Sequence, residues 1–375
     1  VIVELPWPPA ARGVRSLILV LLLALLAACS SRAPQPTEPP SPVEQQLTRQ
    51  MQPMTWQDLP GWRQENAVAA LGAFRQSCRR LARRDGWAAV CRDAEALDPL
   101  DSEAIRDFFE HRFAPYLMAN ADGSTTGLIT GYYEPLLHGS RRRHGPYQTP
   151  LYRLPEAWRD DPDARRPSRA ALRKSGRLQG QELVWVDDPV EAAYLQIQGS
   201  GRIELAEGGT LHVGYAGTNN QPFRSFARAL IDRGAITPGE ATLDGIRAWA
   251  RRHPQQVDAA LDVNPRVVFF EPRESDPRAG ADGPLGALGV PLTSRRSLAV
   301  DPSRIPLGAP VFLATTRPLS NEPLQQLMVA QDTGSAITGA VRADFFWGHG
   351  DQAGELAGRM KQPGQLWVLM PRRRR

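Results

Sequence analysis

Lysine is almost absent from this chain: of 45 basic residues only Lys174 and Lys361 are lysine, and the other 43 are arginine. With alanine also abundant, that bias reflects genome composition more than function. Cysteine is scarce as well. Cys29, Cys78 and Cys91 alone, in 375 residues, exclude a disulfide scaffold, and 42% hydrophobic against 23% charged residues excludes a disordered chain. At roughly 100–200 residues per domain the length predicts two domains or one large one, with chain enough to bury a core without help from metals.

Several motifs are missing too. His111, His138, His144, His212, His253 and His349 show no HxxxH or HExxH spacing and no cysteine cluster beside them, so no metal site is expected. There is no GxSxG elbow, no Walker A loop and no GxGxxG following a strand, so no serine hydrolase, nucleotide user or dinucleotide cofactor is expected either. Gly199-Ser200-Gly201 reads as a tight bend rather than a nucleophile turn. A net charge of +5 and a pI near 9.4 permit a polyanion partner. Part of the excess is local, however, in Arg141 to Arg143 and in Arg372 to Arg375, a basic tail that reads as disordered, and acids are interspersed elsewhere. Nucleic acid is not an expected partner.

Long apolar runs are limited to one. Arg12 and Arg15 precede Leu17 to Ala28, twelve residues without a polar interruption, and Cys29 follows. A membrane-spanning helix takes ~20 residues, so this is the n-region, h-region and cleavage pattern of a secretory signal. Leu26-Ala27-Ala28-Cys29 resembles the lipobox of bacterial lipoproteins, which implies lipidation of Cys29. Ser30, not Asp, then implies the outer membrane, periplasmic face. Ala33 to Pro42 (APQPTEPPSP) is an extended, semi-rigid tether. In that oxidising compartment Cys78 and Cys91 read as a disulfide between neighbouring helices or as two buried thiols; neither has the context of a nucleophile.

Along the chain, helical spacing at Leu71 to Leu81 breaks at Arg84-Asp85-Gly86 and resumes over Trp87 to Leu97. Asp101-Ser102 then offers an N-cap for a helix through Phe113. From Leu128 the texture becomes short β-like runs: LITGYYEPLL, QTPLYRLP, LVWV, YLQIQGSGRIEL and TLHVGYAG. Tyr194 to Gln198 alternates strictly, which predicts a strand with Gln196 and Gln198 on one polar face. Helical texture returns at Phe223 to Arg233 and Thr242 to Leu261, and Val267 to Phe270 opens a second β-rich part ending at Trp367 to Leu369. With no repeat and no βαβ rhythm, small barrels are favoured over a parallel doubly wound sheet.

Two carboxylates flank one loop near the end: Asp332 after the apolar run Leu327 to Ala330, and Asp344 within Ala343-Asp344-Phe345-Phe346-Trp347. A carboxyl among apolar neighbours loses solvation in its charged form and keeps its proton to higher pH, which suits a general acid. By spacing alone, an Asx turn for Asp332 and a solvated strand position for Asp344 are the plainer readings.

Longer motifs change that weighting. Asp301 in SLAVDPSRIPLG, Asp332 in AQDTGSAITG and Asp344 in RADFFWG resemble the three-aspartate signature of a double-psi β-barrel module. GYYEP (Gly131 to Pro135), YLQIQGSG (Tyr194 to Gly201) and Tyr215-Ala216-Gly217 resemble the companion region of the membrane-bound lytic murein transglycosylase A family. The resemblance covers about Gly127 to Pro371. It implies a mainly β fold with a helical N-terminal part: a double-psi β-barrel built from N- and C-terminal segments, a second β-barrel inserted between them, and a glycan groove where they meet. The expected divisions are signal 1–28, lipidated N-terminus and tether 29–50, helical part 51–126, insert 127–240, C-terminal barrel part 241–371 and basic tail 372–375.

By the same resemblance Asp344 is catalytic, Asp332 supports it, and Asp301 is structural, bracing the barrel through turn hydrogen bonds ahead of Pro302. Tyr132, Tyr133, Glu134, Gln196, Gln198, Ser200 and Tyr215 are substrate-binding candidates, with Asn219 and Asn220 weaker ones. The implied activity cuts the β-1,4 bond between N-acetylmuramic acid and N-acetylglucosamine in peptidoglycan and leaves a 1,6-anhydro end, with one Asp as acid and then base. The implied partners are peptidoglycan glycan strands, the membrane through the lipid, and cell-wall synthesis or scaffold proteins. A classical hydrolase on the same barrel and a noncatalytic wall-binding lipoprotein are the alternatives.

Overall fold

A computed structural model describes residues 50–161, 163–273 and 283–372. The signal, Cys29, the tether and Arg373 to Arg375 lie outside the described residues. Helix α1 (Ala67–Leu81) starts where the Asn66 side chain accepts the Val68 N–H at 3.2 Å, and its Ala70, Leu71, Phe74, Cys78 and Leu81 recur at three- and four-residue spacing and are all buried. Helix α2 (Ala88–Ala96) follows a turn in which Gly86 takes φ +80°. Asp101 caps α3 (Ser102–Arg112) by accepting the Ala104 N–H at 2.9 Å. Phe74 lies within 5.7–6.3 Å, ring centre to ring centre, of Trp87, Phe108, Phe109 and Phe113. Each buried ring contributes about 1.5–3 kcal/mol of transfer free energy. Cys78 and Cys91 form a disulfide joining α1 to α2, with Cα atoms 5.3 Å apart.

The strands are β1 (Met51–Pro53), β2 (Phe113–Met118), β3 (Gly127–Glu134), β4 (Leu136–Ser140), β5 (Thr149–Tyr152), β6 (Glu182–Val186), β7 (Gly201–Leu205), β8 (Thr210–Thr218), β9 (Val268–Arg273), β10 (Ser297–Val300), β11 (Pro310–Thr316), β12 (Pro323–Asp332), β13 (Arg342–His349) and β14 (Lys361–Pro371). One sheet runs β1-β2-β14-β11-β12-β10-β13-β3, and β3 pairs back onto β14, closing a six-stranded barrel. Within it β10·β12 and β13·β3 are parallel and the other pairs antiparallel. This is the double-psi β-barrel, with β3 from the N-terminal side completing strands from the C-terminal third. Its buried Val311, Phe312, Leu327, Val329, Phe345 and Trp367 share one apolar cluster with α1–α3.

The second sheet, β5-β6-β4-β7-β8-β9, surrounds Leu137, Val184, Ile203, Val213 and Phe270. Its edge strands β5 and β9 approach each other without a hydrogen-bonded ladder. Helix α4 (Arg169–Ser175) contributes Leu172 to a small cluster around Trp158 and Phe269. Helices α5 (Pro189–Gln198), α6 (Phe226–Asp232), α7 (Leu243–Arg252) and α8 (Val257–Leu261) pack around Phe226, Leu230 and Trp249.

Two expectations are corrected here. Gly127 to Glu134 belongs to the barrel, the chain crosses to the second sheet at Pro135, and β9 still pairs with β8. The insert therefore runs from about 136 to 273, not 127 to 240. Texture carries no information about which sheet a strand joins. Tyr194 to Gln198 is not a strand but the end of α5, so Gln196 and Gln198, some 200° apart around the helix, do not share a face. Its ends decide this: Asp188 accepts the N–H groups of Val190 and Glu191, Pro189 occupies the first turn, and Gly199 closes the helix at φ +83°. Five alternating residues are too few to outweigh caps at both ends.

The cross-link joins cysteines 13 positions apart, for which unfolded-state entropy predicts about 3 kcal/mol of stabilisation. A Cys78→Ser/Cys91→Ser variant is expected to lose about that much in urea unfolding, and reduction of the wild type to lose the same. Coincident unfolding midpoints for oxidised and reduced protein would contradict this.

Candidate active site

The barrel brings the two carboxylates together across a single strand. Ala299 of β10 pairs with Asp332 at the end of β12 on one side and with Asp344 of β13 on the other. At one interstrand spacing per step the two aspartates stand roughly 10 Å apart, backbone to backbone. Ala299 has too little side chain to fill the space between them, and all three residues line the same cleft. On the far side of β13, β3 supplies the partners in parallel register. Thr130 lies opposite Asp344, and Tyr132 lies opposite Phe346, with ring centres 5.1 Å apart. Period-two alternation puts Thr130, Tyr132 and Glu134 on one face.

Thr130 donates its hydroxyl to Asp344 Oδ1 at 2.6 Å. Oδ2 has no hydrogen-bond partner among the described residues. Part of the Asp344 side chain stays open to the cleft, yet packed protein encloses it. Loss of solvation is the largest influence on its pKa and outweighs the Thr130 hydrogen bond and the Arg342 charge; with repulsion from Asp332 added, its pKa rises to about 6. Asp332 is occupied on both oxygens: Ala287 N–H donates to Oδ1 at 2.9 Å and the Tyr132 hydroxyl to Oδ2 at 3.0 Å. Burial raises its pKa as well, against the pull of those donors. Burial, then the charges of Asp332 and Asp344, push the Tyr132 phenol well above its ordinary pKa, so it remains a neutral donor. One carboxyl is free to exchange a proton with a ligand, and the other is held as an acceptor.

The cleft measures about 1420 Å³ and lies between the barrel and the insert sheet. Tyr132, Glu134, Gln196, Gln198, Ser200, Tyr215, Asp332 and Asp344 all line it. Tyr215 is 53% exposed there and offers a ring face, with Ile197, Phe223 and Leu285 as further exposed apolar side chains on its walls. Glu134 is buried and paired with Arg202 at 2.8 Å. Gln196 accepts from Arg169 at 2.9 Å and from the Val268 N–H at 3.2 Å, so its amide oxygen ties α5 to β9, while Gln198 accepts from the Tyr133 N–H at 3.4 Å.

Three candidates are not cleft residues. Tyr133 alternates away from Tyr132, is buried and packs on helix α9 (Asp351–Arg359), where a Cβ on Gly354 would touch its ring at 2.9 Å. Asn219 is fully buried, donating to the Pro167 and Pro265 carbonyls and accepting from the Val267 N–H. Asn220 sits at φ +57° outside the lining. Asp301 makes turn hydrogen bonds. Its Oδ1 accepts from the Ser303 N–H and hydroxyl and its Oδ2 from the Gly339 N–H at 2.7 Å, and these, against its burial, lower its pKa. Phe345 and Trp347 belong to the barrel core, leaving Phe346 beside Tyr132.

Residues 128–271 match the MltA specific insert domain and residues 296–370 the 3D domain. Membrane-bound lytic murein transglycosylase A of Escherichia coli K12 is 34% identical over 260 residues, covering 67% of this chain and 68% of that one. The chain belongs to the membrane-bound lytic murein transglycosylase A family. Among solved structures, the lytic transglycosylase LtgG of Burkholderia pseudomallei is 56% identical over 86% of this chain and 96% of its own, with a TM-score of 0.65. E. coli MltA with bound chitohexaose is 27% identical over 82% and 91%, with a TM-score of 0.69. In this member of the transglycosylase A family the insert match ends close to the end of the second sheet, at 271 against 273, but begins at 128, inside barrel strand β3 and eight residues before the second sheet starts.

Sequence reading passed over Thr130 and the Ala287 N–H. Thr130 was within reach, standing two and four residues before Tyr132 and Glu134 on a single strand face. The Ala287 amide carries no sequence signal, since any residue supplies one.

The folded pKa of Asp344, about 6, lies above the ~3.9 of an unfolded aspartate, so the folded state binds that proton more tightly. Its contribution to stability is complete below ~3.9 and is lost as pH rises through the folded value. Asp344→Asn, which still accepts from Thr130, is therefore expected to match the wild type in stability near pH 3.5 and to exceed it by about 1–3 kcal/mol at pH 8. Denaturant unfolding across that range tests it, and a stability difference that does not change with pH would contradict it.

Proposed function

We propose that this chain is a lytic transglycosylase that cuts the β-1,4 bond between N-acetylmuramic acid and N-acetylglucosamine in peptidoglycan and leaves a 1,6-anhydro-N-acetylmuramic acid end. The observation that carries the proposal is one carboxyl, Asp344, raised to about 6 and open on one oxygen to a cleft large enough for several sugars. Its relatives' names support it, as does the chitohexaose, a β-1,4-linked N-acetylglucosamine oligomer, bound in E. coli MltA.

Protonated Asp344 gives its proton to the bridging oxygen as the bond from muramic C1 breaks, and the N-acetylglucosamine portion departs with a hydroxyl. The resulting carboxylate takes the proton from the muramic C6 hydroxyl as O6 closes onto C1. The proton is back where it began and no water is consumed. A group that must donate and then accept works best with a pKa near the working pH. The attacking hydroxyl is part of the substrate, so proximity supplies a large share of the acceleration, provided bulk water is kept from C1. Asp332 holds Tyr132 and the 287 amide in place, and its negative charge steadies positive charge developing on the sugar. A hydrolase would need a second carboxyl able to activate water. Both oxygens of Asp332 are already engaged.

Tyr132, Gln198, Ser200 and Tyr215 are the proposed sugar contacts, with Glu134 and Gln196 shaping the wall behind them and Asp301 fixing the turn before β13. The proposed location is the periplasmic face of the outer membrane, through lipid on Cys29 and the Ala33 to Pro42 spacer. Cell-wall synthesis or scaffold proteins are the proposed partners at that surface.

Mass spectrometry of a murein digest tests the reaction. Anhydro-muropeptides, lighter by one water than hydrolysis products, are expected from the wild type, and Asp344→Asn is expected to lose at least about 1000-fold in rate while remaining folded. Reducing-end products would establish the hydrolase, and binding without cleavage would establish a noncatalytic wall protein. For the anchor, Cys29→Ser is expected to abolish palmitate labelling and release the protein into the soluble periplasmic fraction; labelling that persists would refute it.

A further inference from the structure

The insert carries a row of basic side chains that the glycan chemistry does not use. Arg202 of β7 lies directly opposite His212 of β8, and His212 directly opposite Arg273 of β9. All three line the cleft. Cross-strand neighbours on one face stand about 4.5–5.5 Å apart, and like charges there repel. Glu134 and Glu271 each hold one of the arginines, both at 2.8 Å, but His212 between them has no ion pair among the described residues. Burial, and then the Arg202 charge, push that imidazole towards its neutral form. Gly214, the next residue on that face of β8, leaves room for the neighbouring guanidinium: a Cβ there would meet Arg273 Nε at 2.5 Å. An anion seated over His212 would lie between two guanidiniums and beside an imidazole N–H able to donate to it.

Resting on the transglycosylase reading, we infer that Arg202, His212 and Arg273 form a second subsite that binds carboxylates of the peptides borne by muramic residues, so that the enzyme prefers peptide-bearing glycan to bare glycan. Strand β3 sets the distance. Thr130 bonds Asp344 and Glu134 bonds Arg202, four residues apart on one strand, or ~13 Å. That is beyond the sugar being cut, yet a peptide of about four residues attached to that sugar spans it at ~3.3–3.6 Å per residue. Arg80 and Arg266, which also line the cleft, donate to the Gly289 and Gln221 carbonyls.

The test compares kcat/KM on soluble peptide-bearing glycan strands with that on the same strands after an amidase has removed the peptides. The wild type is expected to favour the peptide-bearing strands by about tenfold or more. Arg273→Gln and His212→Gln are each expected to lose about tenfold on those strands, mainly through KM, while changing by less than about twofold on bare strands; charge-assisted hydrogen bonds have that size. Arg273→Lys, which keeps the charge, is expected to retain most of the preference. Equal wild-type rates on the two polymers, or variants that lose equally on both, would overturn the subsite alone. A wild type that cuts neither polymer would overturn the transglycosylase reading and the subsite with it.

Discussion

A carboxylic acid whose pKa is raised towards neutrality has to be withheld from water without being handed a close cation, and burial in the barrel does that at Asp344, raising its pKa to about 6. The side chain sits on a strand between β10 and β3, takes a single hydroxyl from Thr130, and has Asp332 rather than a base across the gap. Arg342 pulls the other way, but less strongly than burial pushes. If Asp332 carried no donors of its own, its charge would be left unsatisfied at the same depth. Tyr132 and the Ala287 amide prevent this by donating to its two oxygens.

The position of Asp332 depends in turn on contacts outside the barrel. Its neighbour Gln331, fully buried, donates to the Ala73 carbonyl and the Ser77 hydroxyl of α1 and accepts from the Ser297 hydroxyl at the start of β10. Buried amides of this kind are costly unless every group is matched, and here the matching locks β12, β10 and the first helix into one register. The helical layer therefore acts as a support for the carboxylate strands as well as a cover. The disulfide beside Ser77 fastens that helix to the next.

Strand β3 links barrel and insert. Its alternate residues meet Asp344, Asp332 and Arg202 in turn, and at Pro135, where the ring removes a ladder donor, the chain leaves one sheet for the other. The cleft follows from that crossing, because the two sheets share a short continuous stretch of backbone and diverge beyond it. GYYEP was conspicuous in the sequence, yet its two tyrosines have opposite fates. Tyr132 meets an aspartate, whereas Tyr133 is packed under α9. Period-two alternation separates them, but which face is inside is settled only once β13 and β14 have paired on either side.

Chemical identity is local, so the three aspartates and the Asp101 cap were legible from neighbours a few positions away. The chain alone also determined that no familiar nucleophile or metal motif was on offer. Membership of a sheet and the solvation of a carboxyl are set by residues far apart in sequence: Asp344 finds its hydroxyl 214 positions upstream at Thr130. The helix through Tyr194 to Gln198 was within reach of the sequence, because its caps Asp188, Pro189 and Gly199 are local, whereas the row Arg202, His212 and Arg273 came into being only when three separate strands fell into register. Tertiary structure decided these because desolvation and cross-strand proximity arise from packing in space, which local spacing does not encode.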